Sequence, residues 1–170
     1  NSSGSFANNF NVTSTAGSSY VVGNVNNGTF YYNGTANLGA NGSLINGANS
    51  AVLLDTSSNI TGTGSNIVGA VLNGQYTGTA PAGFTSAVDG ENRGSIVLGD
   101  NSAGLYGTNG AKLLNKGTIN VGNASIGMSG KGTGSSLTND GNITLGAGSE
   151  GIYGNESTSI INAGNITGIS

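Results

Sequence analysis

Seven carboxylates are the side chains with which this chain could do acid–base chemistry, because it contains neither histidine nor cysteine. Hydrolysis of a glycosidic bond needs two carboxyl groups held about 5–10 Å apart. Asp89 and Glu91, beside Arg93, are the candidate pair. The other acids fall at different places of the repeat that organises the chain, so they predict no cluster. We therefore expect no catalytic residues, no metal and no cofactor, and we expect that the protein is not an enzyme.

Calcium-binding β-rolls and ice-binding solenoids need repeats that differ from those of this chain. A β-roll repeats a glycine-rich nonapeptide that contains an aspartate, and the sequence lacks it. An ice-binding face needs a regular column of threonines, whereas the equivalent positions here are Ser95, Thr118, Asn142 and Asn165. The sequence favours neither chemistry.

The composition excludes several further classes of protein. Only 6% of the residues are charged, against a usual ~25%. A disordered linker is similarly polar, but the apolar 35% of this chain recurs at fixed positions, which a linker does not need. Four basic residues and a net charge of −3 provide no cationic stripe, so we expect no nucleic-acid partner.

No targeting or membrane-spanning segment stands out in the sequence. No apolar run approaches the ~20 residues that a membrane span requires, and the opening NSSGSF is unlike a signal peptide. The chain ends within a repeat, and we expect it to be a piece of a longer protein.

A repeat of 23–24 residues organises the second half of the sequence. Its copies begin at four asparagines: Asn92, Asn115, Asn139 and Asn162. A glycine stands two residues after each asparagine, and an isoleucine stands four residues after it. A period of 20–50 residues is typical of a solenoid, in which each repeat stacks on the next.

Within each repeat, apolar residues alternate with polar ones over short runs. In NKGTINVG, Ile119 and Val121 lie on one face of a strand, and Thr118 and Asn120 lie on the other. Three such runs per repeat predict an all-β parallel β-helix with about 23–24 residues per coil, and the frequent glycines argue against helices. The predicted core residues are Ile96, Leu98, Ile119, Val121, Ile143, Leu145 and Ile166.

The four asparagines predict a structural ladder at a tight turn. Asparagine tolerates the left-handed backbone conformation, and stacked amides hydrogen-bond along a stack. A ladder that binds a ligand or a metal is the alternative, and we favour the structural role. Lys116 and Asp140 directly follow two of the asparagines and are predicted neighbours that could form a surface ion pair.

Residues 1–91 follow the repeat only loosely. Asn41 and Asn66 are candidate starts of further coils, and Pro81 marks a longer protruding turn. We therefore predict one continuous solenoid, with degenerate coils and longer turns at 1–91 and regular coils at 92–170. The whole chain would make roughly seven coils.

Recognition remains as a function, and tyrosines are its candidates because aromatic side chains often anchor interfaces. Tyr31 and Tyr32 are consecutive, so one of them points outward if they lie in a strand. The predicted ligand-binding residues are Tyr31, Tyr32, Tyr106 and Tyr153. The predicted recognition regions are the turns near residues 24–35, 73–91 and 130–136.

The pattern N-x-G-x-I-x-[VL]-G…S-x-G-[LMI]-[YS]-G…N-x-G resembles the passenger domains of type V autotransporter adhesins. It is most similar to the large Asn/Gly-rich outer-membrane autotransporters of fusobacterial type. The resemblance covers residues 92–170 closely and residues 1–91 by composition and rhythm. Gly168 departs from it, because the other repeats have Leu98, Val121 or Leu145 at that position.

The resemblance implies a right-handed β-helix that is exported and displayed on the bacterial cell surface. It implies a parent protein anchored by an outer-membrane β-barrel that lies outside this chain. It also implies cell adhesion: a stiff stalk whose surface loops attach to a surface protein or glycan of host cells or other bacteria. The alternatives are a structural spacer without its own ligand and a carbohydrate-active β-helix enzyme.

Overall fold

The computed structural model describes residues 5–8, 11–13, 19–85 and 87–169. Within these ranges the chain contains twenty β-strands and no helix. The strands form three sheets in which every pairing is parallel, so the predicted all-β parallel solenoid is confirmed. Residues 1–4, 9–10, 14–18, 86 and 170 belong to the predicted coils but lie outside the described residues.

Each coil contributes one strand to each sheet. Sheet A contains β1 (Ser5–Asn8), β4 (Thr29–Tyr32), β7 (Ala51–Leu54), β10 (Gly90–Asn92), β13 (Lys112–Asn115), β16 (Ser136–Asn139) and β19 (Ser159–Asn162). Sheet B contains β2 (Val12–Thr13), β5 (Thr35–Asn37), β8 (Asn59–Gly62), β11 (Ser95–Leu98), β14 (Thr118–Val121), β17 (Asn142–Leu145) and β20 (Asn165–Gly168). Sheet C contains β3 (Tyr20–Asn26), β6 (Gly42–Ala48), β9 (Val68–Asn73), β12 (Ala103–Thr108), β15 (Ile126–Lys131) and β18 (Glu150–Asn155). The described chain thus makes six complete coils and two strands of a seventh.

The core is a set of aliphatic columns that run through the stack. In sheet B, Ile60, Ile96, Ile119 and Ile143 are successive partners in register, and each is buried. Ile166 continues this column but is 39% exposed. The described residues place no strand on the far side of β20, so the predicted burial of Ile166 is wrong, although its inward position is right.

The turn that leads from sheet A to sheet B, the AB turn, requires glycine in the regular coils from β10 onward. The backbones of successive coils approach so closely there that a Cβ atom at Gly117 would lie 2.1 Å from the carbonyl oxygen of Gly94. A Cβ at Gly141 would lie at the same distance from the carbonyl oxygen of Gly117. In these two-residue turns any other residue would collide with the backbone of the preceding coil, which explains the glycine two residues after each repeated asparagine. The third coil has a longer AB turn, residues 55–58, and Ser58 takes the equivalent position there.

Apart from the turn between β2 and β3, most of which lies outside the described residues, the turns from sheet B to sheet C (BC turns) and from sheet C to sheet A (CA turns) each contain a left-handed residue. In the BC turns these residues are Asn41, Asn66, Asn101, Ala124 and Gly148, and in the CA turns they are Asn27, Asn49, Gly74, Asn109, Gly132 and Glu156. Asparagine dominates both columns because it tolerates positive φ. Asn41 and Asn66 therefore stack on Asn101, and the prediction that they are equivalent to Asn92 is wrong.

The repeated asparagines form a ladder inside the solenoid, which is buried at Asn92, Asn115 and Asn139 and exposed at Asn162 in the last described coil. Each amide Nδ2 donates to the Oδ1 of the next coil at 2.8 Å, from Asn92 to Asn115, then to Asn139, then to Asn162. These residues end strands of sheet A, and their side chains point inward. Their backbone is extended rather than left-handed, because the ladder needs the side chain inside and the left-handed turns lie elsewhere.

The ladder begins where the column changes from apolar to polar. Asn92 lies on Leu54, which lies on Tyr32, and both of these are fully buried. Leucine offers no hydrogen-bond donor, and Asn92 Oδ1 is accordingly buried without a partner. The same inward column therefore serves aliphatic, aromatic and amide side chains in different coils.

Replacing Ile119 with alanine should lower the free energy of unfolding by about 2–5 kcal/mol, because it leaves a cavity in a fully buried column. The control is Thr118→Ala, which changes the adjacent outward position and should stay within about 0.5 kcal/mol of the parent protein. Urea unfolding measures both. Equal effects of the two substitutions would contradict the inward assignment of Ile119.

Replacing Asn115 with alanine should also lower the free energy of unfolding by about 2–5 kcal/mol. It removes the acceptor of Asn92 and the donor to Asn139, and a buried group without a partner costs about 1–3 kcal/mol. Asn120→Ala, on the outward side of β14, is the matched control and should have little effect. If urea unfolding finds the two variants equally stable, the ladder contributes nothing.

Candidate recognition surface

One coil is longer than its neighbours, and its extra residues form a single insertion. The backbone amide of Ile67 donates to Ser102 Oγ, 35 residues further along the chain. The equivalent bonds of the next two coils, from Ser102 to Ser125 and from Ser125 to Ser149, span 23 and 24 residues. The extra length lies in the CA turn between β9 and β10, and we call residues 74–89 the insertion.

Asp89 fastens the two ends of the insertion to the solenoid. Its Oδ1 accepts the backbone N–H of Tyr76 at 2.7 Å, and its Oδ2 accepts the backbone N–H of Lys112 in the next coil at 2.7 Å. The carboxyl group is buried. Asp89 therefore closes the insertion on itself and ties it to β13.

Glu91 fastens the outer part of the insertion. Its side chain is 2% exposed. Arg93 donates from Nε to Glu91 Oε1 at 2.8 Å and from Nη2 to Glu91 Oε2 at 2.9 Å. The backbone N–H of Thr85 donates to Glu91 Oε2 at 3.2 Å, and Arg93 also donates to the carbonyl of Gly83 at 2.7 Å. Glu91 and Arg93 thus hold the 83–85 segment against sheet A.

Lys116 joins this network from the next coil. Its Nζ lies 3.4 Å from Glu91 Oε1. The predicted pairing of Lys116 with Asp140 is therefore wrong. Lys116 instead lies against the buried carboxylate of Glu91 in the preceding coil, whereas Asp140 lies in the following one. Lys116 places a positive charge near the buried Glu91 carboxylate while part of its own side chain remains exposed to solvent.

Burial and hydrogen bonding act in opposite directions on the two carboxylates. Burial raises the pKa of Asp89 above its ordinary value, although its two amide hydrogen bonds lower it. Burial also acts to raise the pKa of Glu91, but hydrogen bonds from Arg93 and Thr85 outweigh it, and the pKa of Glu91 is lowered. The hydrogen bond to Glu91 in turn raises the pKa of Arg93.

The insertion covers outward side chains of sheet A. Leu53 and Leu114 are the neighbours of Glu91 in register on the outer face of the sheet, and they are only 1% and 6% exposed. In the seventh coil the same column holds Ile161, which is 57% exposed. Ile161 lies in the last described coil, where the inward Ile160 is also 46% exposed, so the burial of Leu53 and Leu114 beside Glu91 is the observation that points to cover by the insertion.

The structure separates the two consecutive tyrosines. Tyr31 lies on the outer face of sheet A, and its hydroxyl donates to a carboxylate oxygen of Asp55. This hydrogen bond raises the pKa of Tyr31 and lowers that of Asp55. Tyr32 is fully buried in the core, with its ring stacked on Phe30 at a centroid distance of 6.1 Å. The prediction that Tyr32 can bind a ligand at the surface is therefore corrected.

Tyr106 and Tyr153 lie on a different face, the outer side of sheet C. They flank Ser129 in register, and Ser129 is buried between them, whereas Tyr153 is 42% exposed. The structure thus brings Tyr106 and Tyr153 into one column and places Tyr31 beside Asp55 and Arg93 on sheet A. The four predicted tyrosines do not form one site.

The three predicted recognition regions differ in structure. Residues 24–35 are not an irregular loop, because they are the end of β3, a tight turn, β4 and the next turn. The 130–136 region is a CA turn in which Gly132 and Gly134 have positive φ. The 73–91 region contains the insertion, and among the three it alone builds an additional surface on the solenoid.

The described residues contain no group of three or more His, Cys, Asp or Glu side chains arranged to hold a metal ion. Nor do they include a helix of the length and apolarity that crossing a membrane requires. Comparison of the chain with protein-family models, curated proteins and solved structures finds no match.

The sequence pattern did not indicate that Asp55 and Thr85 belong to the network around Glu91 and Arg93. It paired Lys116 with Asp140 instead of Glu91. Asp55 and Lys116 occupy equivalent places in the AB turns on either side of Arg93, as their backbone amides show. The sequence signal for this network is the small number of charged residues in the chain, several of which lie close together around one insertion.

Replacing Glu91 with glutamine should lower the free energy of unfolding by about 1.5–3 kcal/mol at pH 7, the range for hydrogen bonds to a charged group. Folding lowers the pKa of Glu91, so its stabilisation is present above the unfolded pKa and is lost as the pH falls through the folded pKa. The stability difference between parent and variant should therefore shrink from pH 7 to about pH 3 in urea unfolding.

The titration of Asp89 does not affect this comparison of the two proteins. Its pKa is raised by folding, so its own contribution is lost as the pH rises. Both proteins contain Asp89, and its contribution cancels in the difference between them. A difference that stays constant or grows in acid would contradict the role of Glu91.

Proposed function

We propose that this chain is part of the stalk of a surface-displayed bacterial adhesin, with the insertion as its recognition element. The observation that supports it is the docked insertion on an otherwise regular solenoid. Asp89, Glu91 and Arg93 hold it in place through backbone amides and a carbonyl. A fixed projection on a stiff rod is suited to present one surface to a partner.

The repeat resembles the passenger domains of type V autotransporter adhesins, which adds support for export and display at the cell surface. In this proposal the partner is a protein or glycan on host cells or on other bacteria. Stiffness comes from the stacked coils, since each coil orders the next. The residues between the anchors include an exposed tip, Thr77–Thr79, that is available to such a partner.

The proposal includes no catalytic role for Asp89 and Glu91. Both carboxylates are buried, and their oxygens accept hydrogen bonds from backbone amides or from Arg93. A general acid or base must reach its substrate within hydrogen-bond distance. These contacts favour an anchoring role over the carbohydrate-active alternative.

The spacer remains the second candidate, and the regular coils from β10 onward favour it. Their columns of asparagine, glycine and isoleucine repeat without a change of length that would build another surface. A spacer gives no reason, however, for a buried ion pair under a single insertion. The two candidates make opposite predictions for binding by the isolated chain.

Replacing residues 74–89 with Asn109–Lys112 copies the CA turn of the next coil and removes the insertion without changing register. The labelled 170-residue chain should bind epithelial or bacterial cells saturably, and the variant should bind at least about tenfold more weakly, as expected when an interface loses its main anchors. Circular dichroism and thermal melting should show that the variant keeps its strands.

The matched control exchanges residues 132–136, in the same turn two coils further on, for the same four residues. This control should bind cells like the parent chain. Loss of binding in the control with retained binding in the insertion variant would overturn the proposal. A folded parent chain that binds no cells would support the spacer instead.

A further inference from the structure

A groove of about 370 Å³ lies on the outer face of sheet C in the first three coils, away from the insertion's anchors on sheet A. This volume falls within the ~300–1,000 Å³ of small-molecule sites. Four asparagines line it with small apolar residues between them: Asn24, Asn26, Asn46, Asn73, Ala48 and Val71. None of the lining residues is charged.

The amides of this groove are not paired with one another. Elsewhere on the solenoid, outward asparagines bond along the stack, as Asn66 does to Asn41 at 3.2 Å and Asn165 does to Asn142 at 3.0 Å. Asn24 and Asn46 are also neighbours in register. Their side-chain amides nevertheless make no hydrogen bond within the described part of the chain, and Asn46 Oδ1 is buried without a partner.

Asn73 borders the groove in a fixed orientation. Its Oδ1 accepts Thr108 Oγ1 at 3.2 Å and Asn109 Nδ2 at 2.6 Å from the next coil. Tyr106 follows Val71 in register and continues the outer column of the groove with an aromatic side chain. The surface therefore combines unpaired amides, one amide of fixed orientation, an apolar floor and an aromatic ring.

We propose that this groove binds a neutral saccharide. Sugar hydroxyls donate and accept hydrogen bonds, and a side-chain amide offers both functions in one group. The C–H face of a sugar ring can pack against Val71 and the adjacent Tyr106 ring. The inference rests on the proposed adhesin function and adds to the insertion a second recognition surface, with a ligand class of its own.

Two other ligand classes fit the groove less well. An anionic ligand, such as a sialylated or phosphorylated glycan, would find no cation among the lining residues. An extended peptide would need a free strand edge. β6 and β9 are paired on both sides, and among the strands of the groove only β3, an end strand of sheet C in the described part of the chain, has an unpaired edge, so a peptide would pair along β3 and not over the face of β6 and β9. Neutral polar contact is the chemistry that remains.

The test is binding of the 170-residue chain to an array of neutral oligosaccharides and their sialylated counterparts, followed by calorimetric titration with the strongest neutral binder. The intact chain should bind neutral members, and added salt should not weaken the binding. The double variant N24A/N46A should bind at least about tenfold more weakly, since it removes two amides from the ligand's contacts. The matched control N37A/N120A removes two outward amides from sheet B and should bind like the parent.

Several outcomes would overturn the inference: no neutral oligosaccharide binds, only sialylated ones bind, or N24A/N46A binds normally. If N24A/N46A melts early, N26A replaces it, because Asn26 is exposed and lies in the same groove. Cell attachment is measured on the same preparations. If cells attach through the insertion but no saccharide binds, only the proposed saccharide site in the groove is refuted. If a saccharide binds but cells do not attach, only the adhesin function is refuted.

Discussion

Parallel pairing of each strand with its equivalent in the next coil is the constraint on which the rest of this structure depends. It places equivalent residues about 4.8 Å apart, so each position must be compatible with its own copies. An isoleucine column becomes a core, an asparagine column becomes a hydrogen-bonded ladder, and a two-residue turn where backbones nearly touch selects glycine. The chain reaches a stable fold with 6% charged residues because columns of neutral side chains satisfy one another.

The same constraint determines where the solenoid can carry a recognition element. Additional residues cannot enter a strand without shifting its register, so they extend a turn and lie over an outer face. Such a segment needs its own anchors, because fixing a 16-residue turn over the sheet costs the conformational entropy of its backbone. Asp89 and Glu91 provide them by accepting backbone amides of the insertion, and Arg93 compensates the buried charge of Glu91.

The sequence predicted the regular half of the fold well because its columns repeat by residue type. From Asn92 onward, the strands, the core isoleucines and the asparagine positions could be inferred from spacing alone. The first half could not be aligned, because Tyr32 and Leu54 occupy the asparagine column and the insertion shifts the phase. Asn41 and Asn66 were therefore assigned to the wrong turn. The sequence could not show which of Tyr31 and Tyr32 points outward, since the alternation of a strand shows only that the two side chains lie on opposite faces. The groove could not be predicted from the sequence, because asparagines are frequent in this chain and the sequence does not show that those at 24 and 46 lack hydrogen-bond partners.

The account therefore joins a stiff stack of coils to one docked projection, and docking is its central claim. Hydrogen exchange at the backbone amides of Tyr76 and Thr85 tests that claim most directly, because these amides donate to Asp89 and Glu91. The account predicts that both exchange slowly, like the amides of the adjoining strands, while the amide of exposed Gly78 exchanges rapidly. If Tyr76 and Thr85 exchange as fast as in an unstructured peptide, the insertion is not docked on the solenoid, and the account is contradicted.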